Sequence, residues 1–248
     1  MTAMSPAAEG TSPSAAPEAM PAAPPLEDIE PDALRARALE HLRRSAAWPT
    51  ARRVGGVALA TGYLPGLPTR AYRSALAMNR PAPDVVTRLA DDTFAELAHW
   101  SREFMEGAVL ETLVAPTADG AVWRLRARYR TPWPLSHREY VYRFSRERLD
   151  ARRTLIIYRS VASELTVPPG FVRAVLYPSA HLITADGNGC TVEHVLATDL
   201  SGRFFPWIQR HLLTGAMLDA HARDALAQRR RWSRPKAIDG GDDEVDSP

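Results

Sequence analysis

The most constraining stretch of the chain is Trp123-Arg-Leu-Arg-Ala-Arg-Tyr-Arg130, in strict alternation from end to end. Arg124, Arg126, Arg128 and Arg130 recur at a period of two, with Trp123, Leu125, Ala127 and Tyr129 between them. On a helix these arginines would scatter over every face, whereas on a strand they line one side. Four guanidiniums in a row are expensive to bury, so their side meets water and the Trp/Leu/Ala/Tyr side looks inward. The segment predicts a strand in a sheet with one wet face, and a purely helical fold is excluded.

The same rhythm recurs downstream. Residues 140–149 set Tyr140, Tyr142 and Phe144 on one side. Residues 171–185, read as one strand, set Ala174, Leu176, Ala180 and Leu182 against Arg173, Tyr177, Ser179 and His181. Further strand-like runs lie at 54–64, 70–79, 107–114, 154–161 and 190–200. In the last two, Leu155 and Ile157, and then Glu193, Val195 and Ala197, are assigned to the inward side. Asp186-Gly-Asn-Gly189 is a strong hairpin signal, and short connections between the central strands argue for an antiparallel meander. Helices are predicted from Pro31 to about Trp48, over 84–91, through Phe94, Leu97 and Trp100, and over 204–231. The last carries Phe205, Ile208, Leu212 and Ala216 at helical spacing. The sum is an α+β domain with one curved antiparallel sheet.

That domain is expected over 29–232. Residues 1–28, rich in Ala, Pro, Ser and Glu, and the acidic 233–248 cannot bury enough surface to offset their ordering entropy, so both are expected to be disordered tails. The chain's 31 basic residues nearly balance its 29 acidic ones, and the arginine row has no interleaved exposed aromatics, so no nucleic-acid partner is expected. A lone cysteine, Cys190, excludes an internal disulfide and a cysteine zinc cage. The N-terminal segment lacks the basic and apolar regions of a secretory signal, and no apolar run reaches the ~20 residues of a membrane span. A reduced, cytoplasmic setting follows as the expectation.

Signals for catalysis are weak. There is no Gly-x-Ser-x-Gly, no Gly-rich phosphate loop and no His-Glu-x-x-His. The histidines at 41, 99, 137, 181, 194, 211 and 221 have no metal-ligand spacing. His181 and His194 flank the 186–189 turn on adjacent strands and are expected as a surface pair. Glu193, placed inward, needs a partner, which is either a ligand hydroxyl or amine or an arginine such as Arg73 on a neighbouring strand. No catalytic residue, metal or cofactor is predicted. A curved sheet gripping one helix leaves a gap that is either packed with side chains or open to an apolar ligand.

Three segments, WRLRARYRTPWPLSHREYVYRF (123–144), PGFVRAVLYPSAHLITADG (169–187) and ATDLSGRFFPWIQRHL (197–212), together resemble START domains, the steroidogenic-acute-regulatory-related lipid-transfer modules. The nearest flavour is the phosphatidylcholine-transfer-like branch, and the resemblance runs over about 31–231. It implies a helix-grip (START/Bet v 1-like) fold, with about nine antiparallel strands around the C-terminal helix and a tunnel for one hydrophobic molecule or lipid. The implied function is non-enzymatic binding for transfer or sensing, with transient contact to a membrane surface.

The implied tunnel wall is Trp123, Leu125, Ala127, Tyr129, Tyr140, Tyr142, Phe144, Leu155, Ile157, Ala174, Leu176, Glu193, Val195, Phe205, Ile208 and Leu212. The implied gate is the loop 131–136, with Trp133, Pro134 and Leu135, moving against the last helix. Two departures matter. The acid–arginine pair of cholesterol-binding members is replaced by Leu125 and Phe144. The headgroup-contacting arginine and aspartate of phosphatidylcholine-binding members correspond to Leu97 and Ser101 beside Trp100. Polyketide aromatase/cyclases share the wider fold, and Glu193, Tyr129, Tyr140, Tyr142 and Arg159 are the polar groups such an enzyme would use here.

Overall fold

The computed structural model describes residues 29–131, 133, 135–200 and 214–232. Helix α1 (Pro31–Ala46) opens the domain, with proline at its start, Asp32 in its first turn and Arg43 and Arg44 in its last, each placed favourably for the helix dipole. A hairpin of β1 (Arg52–Val54) and β2 (Val57–Tyr63) leads to β3 (Arg70–Met78). Helices α2 (Ala82–Ala90) and α3 (Thr93–Trp100) then carry the chain to the far edge of the sheet.

From there β4 (Phe104–Val114), β5 (Gly120–Tyr129), β6 (His137–Arg148) and β7 (Arg153–Ser160) form a meander. Short β8 (Phe171–Arg173) and β9 (Val175–Leu176) precede the hairpin β10 (Ser179–Asp186) and β11 (Gly189–Asp199). Gly187 in that turn has φ +57°, a conformation that glycine reaches without strain. Helix α4 (Thr214–Trp232) ends the described chain.

Nine strands run in the order β1-β2-β3-β11-β10-β7-β6-β5-β4, while β8 pairs with β6 and β9 with β11. This is the curved antiparallel sheet expected. The run 171–185 is not one strand, because it divides into three around Ala174 and Pro178. Three register irregularities between β4 and β5 bend that edge.

Both faces of the sheet are covered, by different helices. On the outer face α1 lays Leu34, Ala38 and Leu42 over Ala71, Leu155, Ile157, Ala180, Val195 and Ala197. On the inner face α2, α3 and α4 pack against Trp123, Leu125, Tyr142, Phe144, Ile156, Tyr158, Ile183 and Val192. The arginine row of β5 lies away from the inner layer. Arg124 and Arg126 pair with Glu111 and Glu106, while Arg128 pairs with Glu106 and the fully buried Glu139.

Candidate functional site

The inner face is an aromatic wall. Trp123 and Phe144 lie 5.9 Å apart between ring centroids, and Phe144 stacks with Tyr158 at 6.2 Å. Tyr129 meets Tyr140 edge to face at 5.7 Å. Opposite the wall, α4 presents Leu218, Ala222, Ala225 and Trp232 at three- to seven-residue spacing, the stripe that one helix face supplies. Ala222 and Ala225 are small, so the helix backbone comes close to the sheet there.

The C-terminal end of α4 is latched down. Buried Glu96 of α3 accepts hydrogen bonds from Arg88 at 2.6 Å, Arg231 at 2.8 Å and the Trp232 indole at 3.0 Å. Burial alone would raise this carboxyl's pKa. The Arg231 and Trp232 hydrogen bonds, with the charges of Arg231 and Arg88, outweigh burial and hold it below the usual value. Gly55, in the β1–β2 turn at φ +55°, takes Leu226 of α4 where any Cβ would come within 2.5 Å of it. The hairpin therefore seats against the same helix.

Into this apolar layer the chain inserts a polar cluster. The register of the β10–β11 hairpin sets His181 opposite His194, and their rings stack at 3.9 Å, 7° from parallel. His221 of α4 also meets His194, at 4.8 Å between centroids and tilted by 44°. His194 Nε2 shares a hydrogen bond with the Tyr158 hydroxyl. His181 Nδ1, His221 Nε2 and Asp224 Oδ1 are buried and find no hydrogen-bond partner among the described residues.

Burial drives His181 down to about 3 and His221 to about 4, and it holds His194 well below its ordinary value, so all three are neutral imidazoles. Burial pushes Asp224 up to about 7, helped by Glu103 and opposed by Arg223. Parallel rings do not converge their nitrogens on one point, and no described group of three His, Cys, Asp or Glu side chains is arranged to hold a metal.

A family model for the START domain matches residues 40–233. The chain belongs to the START domain family. Human StAR-related lipid transfer protein 5 superposes with TM-score 0.68 at 16% identity, covering 81% of this chain and 93% of its own. A STAR-related lipid transfer protein fragment from Xanthomonas axonopodis gives 0.61 at 20%, covering 75% and 99%. Human STARD10 gives 0.63 at 17%, covering 83% and 82%. At these identities the likeness concerns the fold. A search of curated proteins finds no match.

Of the wall residues expected from sequence, this START domain places Trp123, Leu125, Ala127, Tyr129, Tyr140, Tyr142, Phe144, Ala174 and Leu176 in the inner layer. The Tyr140 hydroxyl is already engaged by Thr198, at 3.1 Å. Leu155, Ile157 and Val195 are corrected, since they pack beneath α1 on the outer face. Both sides of β7 and β11 are apolar, so alternation does not tell in from out. Glu193 shares the phase of Val195 and is likewise corrected; its carboxylate pairs with Arg73 at 2.6 Å. Arg159 has the outer phase of Leu155 and Ile157. Phe205, Ile208, Leu212 and Pro134 lie outside the described residues.

His181 and His194, expected at the surface, are instead half-buried on the inner side of the sheet, beside Tyr158. Ile156, Tyr158, Ile183, Val192 and His221 are additions that the sequence reading missed. The turn at 186–189 already fixes His181 opposite His194, so the pair was legible though its direction was not. In the loop 131–136, Thr131 donates to the carbonyls of Leu135 and Ser136. Trp133 stands 92% exposed at the tip, so it is no packed anchor. An open surface hollow of about 500 Å³ lies between the end of α1 and β2, lined by Arg43, Arg44, Trp48 and Tyr63 among others, and it includes none of the expected site residues.

Proposed function

We propose that this START domain binds one hydrophobic molecule between the inner face of the sheet and α4, as a carrier or sensor and not as a catalyst. The observation that carries the reading is the set of unpartnered buried atoms on His181, His221 and Asp224 within an aromatic layer. Each such group costs about 1–3 kcal/mol if left unpaired. A layer built only for stability would hold leucine or phenylalanine at these positions. The lipid-transfer names of the similar structures point the same way. Burying about 400 Å² of apolar ligand contributes roughly 10 kcal/mol at about 25 cal/mol per Å², before the costs of association.

The TPWPLS–REYVYRF segment supports the phosphatidylcholine-transfer-like branch, while Leu97 and Ser101 separate this chain from that branch's headgroup contacts. Trp133 serves as the membrane-touching tip of the 131–136 gate on an otherwise cytoplasmic protein. The test is recovery of the protein from cell extract, followed by mass spectrometry of the extracted lipids. One lipid class per chain supports the carrier; a reproducibly empty protein contradicts it.

A second reading, a polyketide cyclase, is favoured by one feature. The Tyr158–His194 hydrogen bond and an Asp224 carboxyl titrating near 7 line the same interior and suit proton transfer. Conversion of a linear poly-ketone by protein that retains no lipid would select it.

A further inference from the structure

Resting on the carrier reading, we propose that the His181–His194–His221 cluster is the polar end of the ligand chamber and selects an amphiphile whose head is an uncharged hydroxyl. Three observations carry this. The cluster is built from three separate elements, β10, β11 and α4, and each contributes one imidazole to the inner layer. His181 Nδ1 and His221 Nε2, unpartnered among the described residues, belong to the two rings in contact with His194, whose own Nε2 is occupied by Tyr158. Two open hydrogen-bonding positions thus stand next to a filled one.

The third observation is charge. Removal from water lowers all three imidazoles below their ordinary value, and no carboxylate among the described residues is hydrogen-bonded to any of them, so each is neutral. Asp224 lies three residues from His221 on the same face of α4 and disfavours an anion. Of the inner-phase arginines of β6, Arg138 donates to the carbonyls of Ser136 and Leu200 and Arg146 pairs with Asp91. An anionic head would enter this site with no cation in the cluster to meet it. A hydrocarbon would leave both nitrogens unpaired. A hydroxyl both donates and accepts, so it satisfies a neutral imidazole nitrogen in either tautomer.

The test uses matched series that vary only the head. Phosphatidylcholine vesicles are loaded with oleyl alcohol, octadecene and oleate, or with cholesterol, cholestene and cholesteryl sulfate, or with diacylglycerol and phosphatidic acid. The full chain is incubated with each mixture, recaptured and extracted for mass spectrometry. In any series the protein takes up, the hydroxyl member is expected in about tenfold excess over its charged and hydrocarbon partners. His181→Phe and His221→Phe, checked for folding by circular dichroism, should reduce that ratio toward one while lipid is still captured, and His181→Gln should restore part of it. Equal or better capture of the charged or hydrocarbon member overturns the proposal while leaving the carrier intact. So does a preference that survives both phenylalanine variants. Capture of the vesicle phosphatidylcholine alone overturns the proposal and leaves the carrier, whereas a wild-type protein that captures neither it nor any series member removes the carrier reading and this proposal with it.

Discussion

The two faces of this sheet bury histidines in opposite ways. Under α1, His41 Nδ1 meets the Pro178 carbonyl at 2.9 Å, inside a layer of leucine, alanine and valine. Under α4, His181 and His221 each keep a buried nitrogen without a partner among the described residues. Both layers are apolar and both histidine environments lower the imidazole pKa, mainly by burial. The outer layer gives its histidine a partner, although the Tyr177 hydroxyl there is buried with none among the described residues. The inner layer leaves two imidazole nitrogens and the Asp224 carboxyl open, and on the carrier reading these are the positions that a ligand would meet.

The largest expected effect is that of acid. Between the ordinary histidine value of 6.5 and about 4, unfolded chains take up protons on His181, His194 and His221 that the folded protein refuses. Stability therefore falls as pH falls through that window. Asp224 runs the other way, since the folded state holds a proton up to about 7 that the unfolded state releases above 3.8. His41 adds to the loss. The net excess is about two protons, on the order of 3 kcal/mol per pH unit. Urea unfolding at pH 6.5 and 5 measures it. A His181→Phe/His221→Phe double variant should flatten the slope. If His41→Phe flattens it instead, the contrast between the faces is broken.

Next in size is Glu96→Ala. It leaves Arg88 and the Trp232 indole without their acceptor and is expected to cost about 3–5 kcal/mol by denaturant unfolding. Amide exchange at the C-terminal end of α4 should quicken with it, because that end of the grip comes loose.

Core truncations of similar severity sharpen the comparison. Leu42→Ala in the outer layer should cost about 3 kcal/mol and leave lipid capture unchanged. Phe144→Ala in the inner layer should cost a similar amount, with part of it regained when lipid fills the space. Equal recovery of both variants by lipid would count against a one-sided chamber.

Smaller still are single histidine replacements. His41→Phe should lose about 1 kcal/mol with its bond to Pro178. His221→Phe should leave stability unchanged or raise it by up to about 1 kcal/mol, because it removes an unpaired buried atom. Smallest in stability is Trp133→Ala, within about 0.5 kcal/mol, whereas transfer of lipid between vesicles should slow.

What was legible in the sequence follows from which faces are wet. On β5 one side carries arginines, so the alternation names the core side directly, and every predicted inward residue there is in the inner layer. On β7 and β11 both sides are buried, one beneath α1 and one facing α4, so a period of two carries no direction. One wrong choice of phase then turns the whole β10–β11 hairpin over, sending His181 and His194 out and Glu193 in. Pro178 is the break that reverses phase between Leu176 and Ala180. His221 escaped because it stands with Asp224 and Gln228 among the apolar residues of α4, a mixed pattern that names no face, and only the fold brings it to the hairpin.

The most direct test of a ligand chamber on one side of the sheet is hydrogen–deuterium exchange of the full chain with and without lipid-loaded vesicles. The account predicts slower exchange in Thr214–Trp232 and in β10–β11 when lipid is present, with Pro31–Ala46 unchanged. Exchange that does not respond to lipid, or that slows only in Pro31–Ala46, would contradict it.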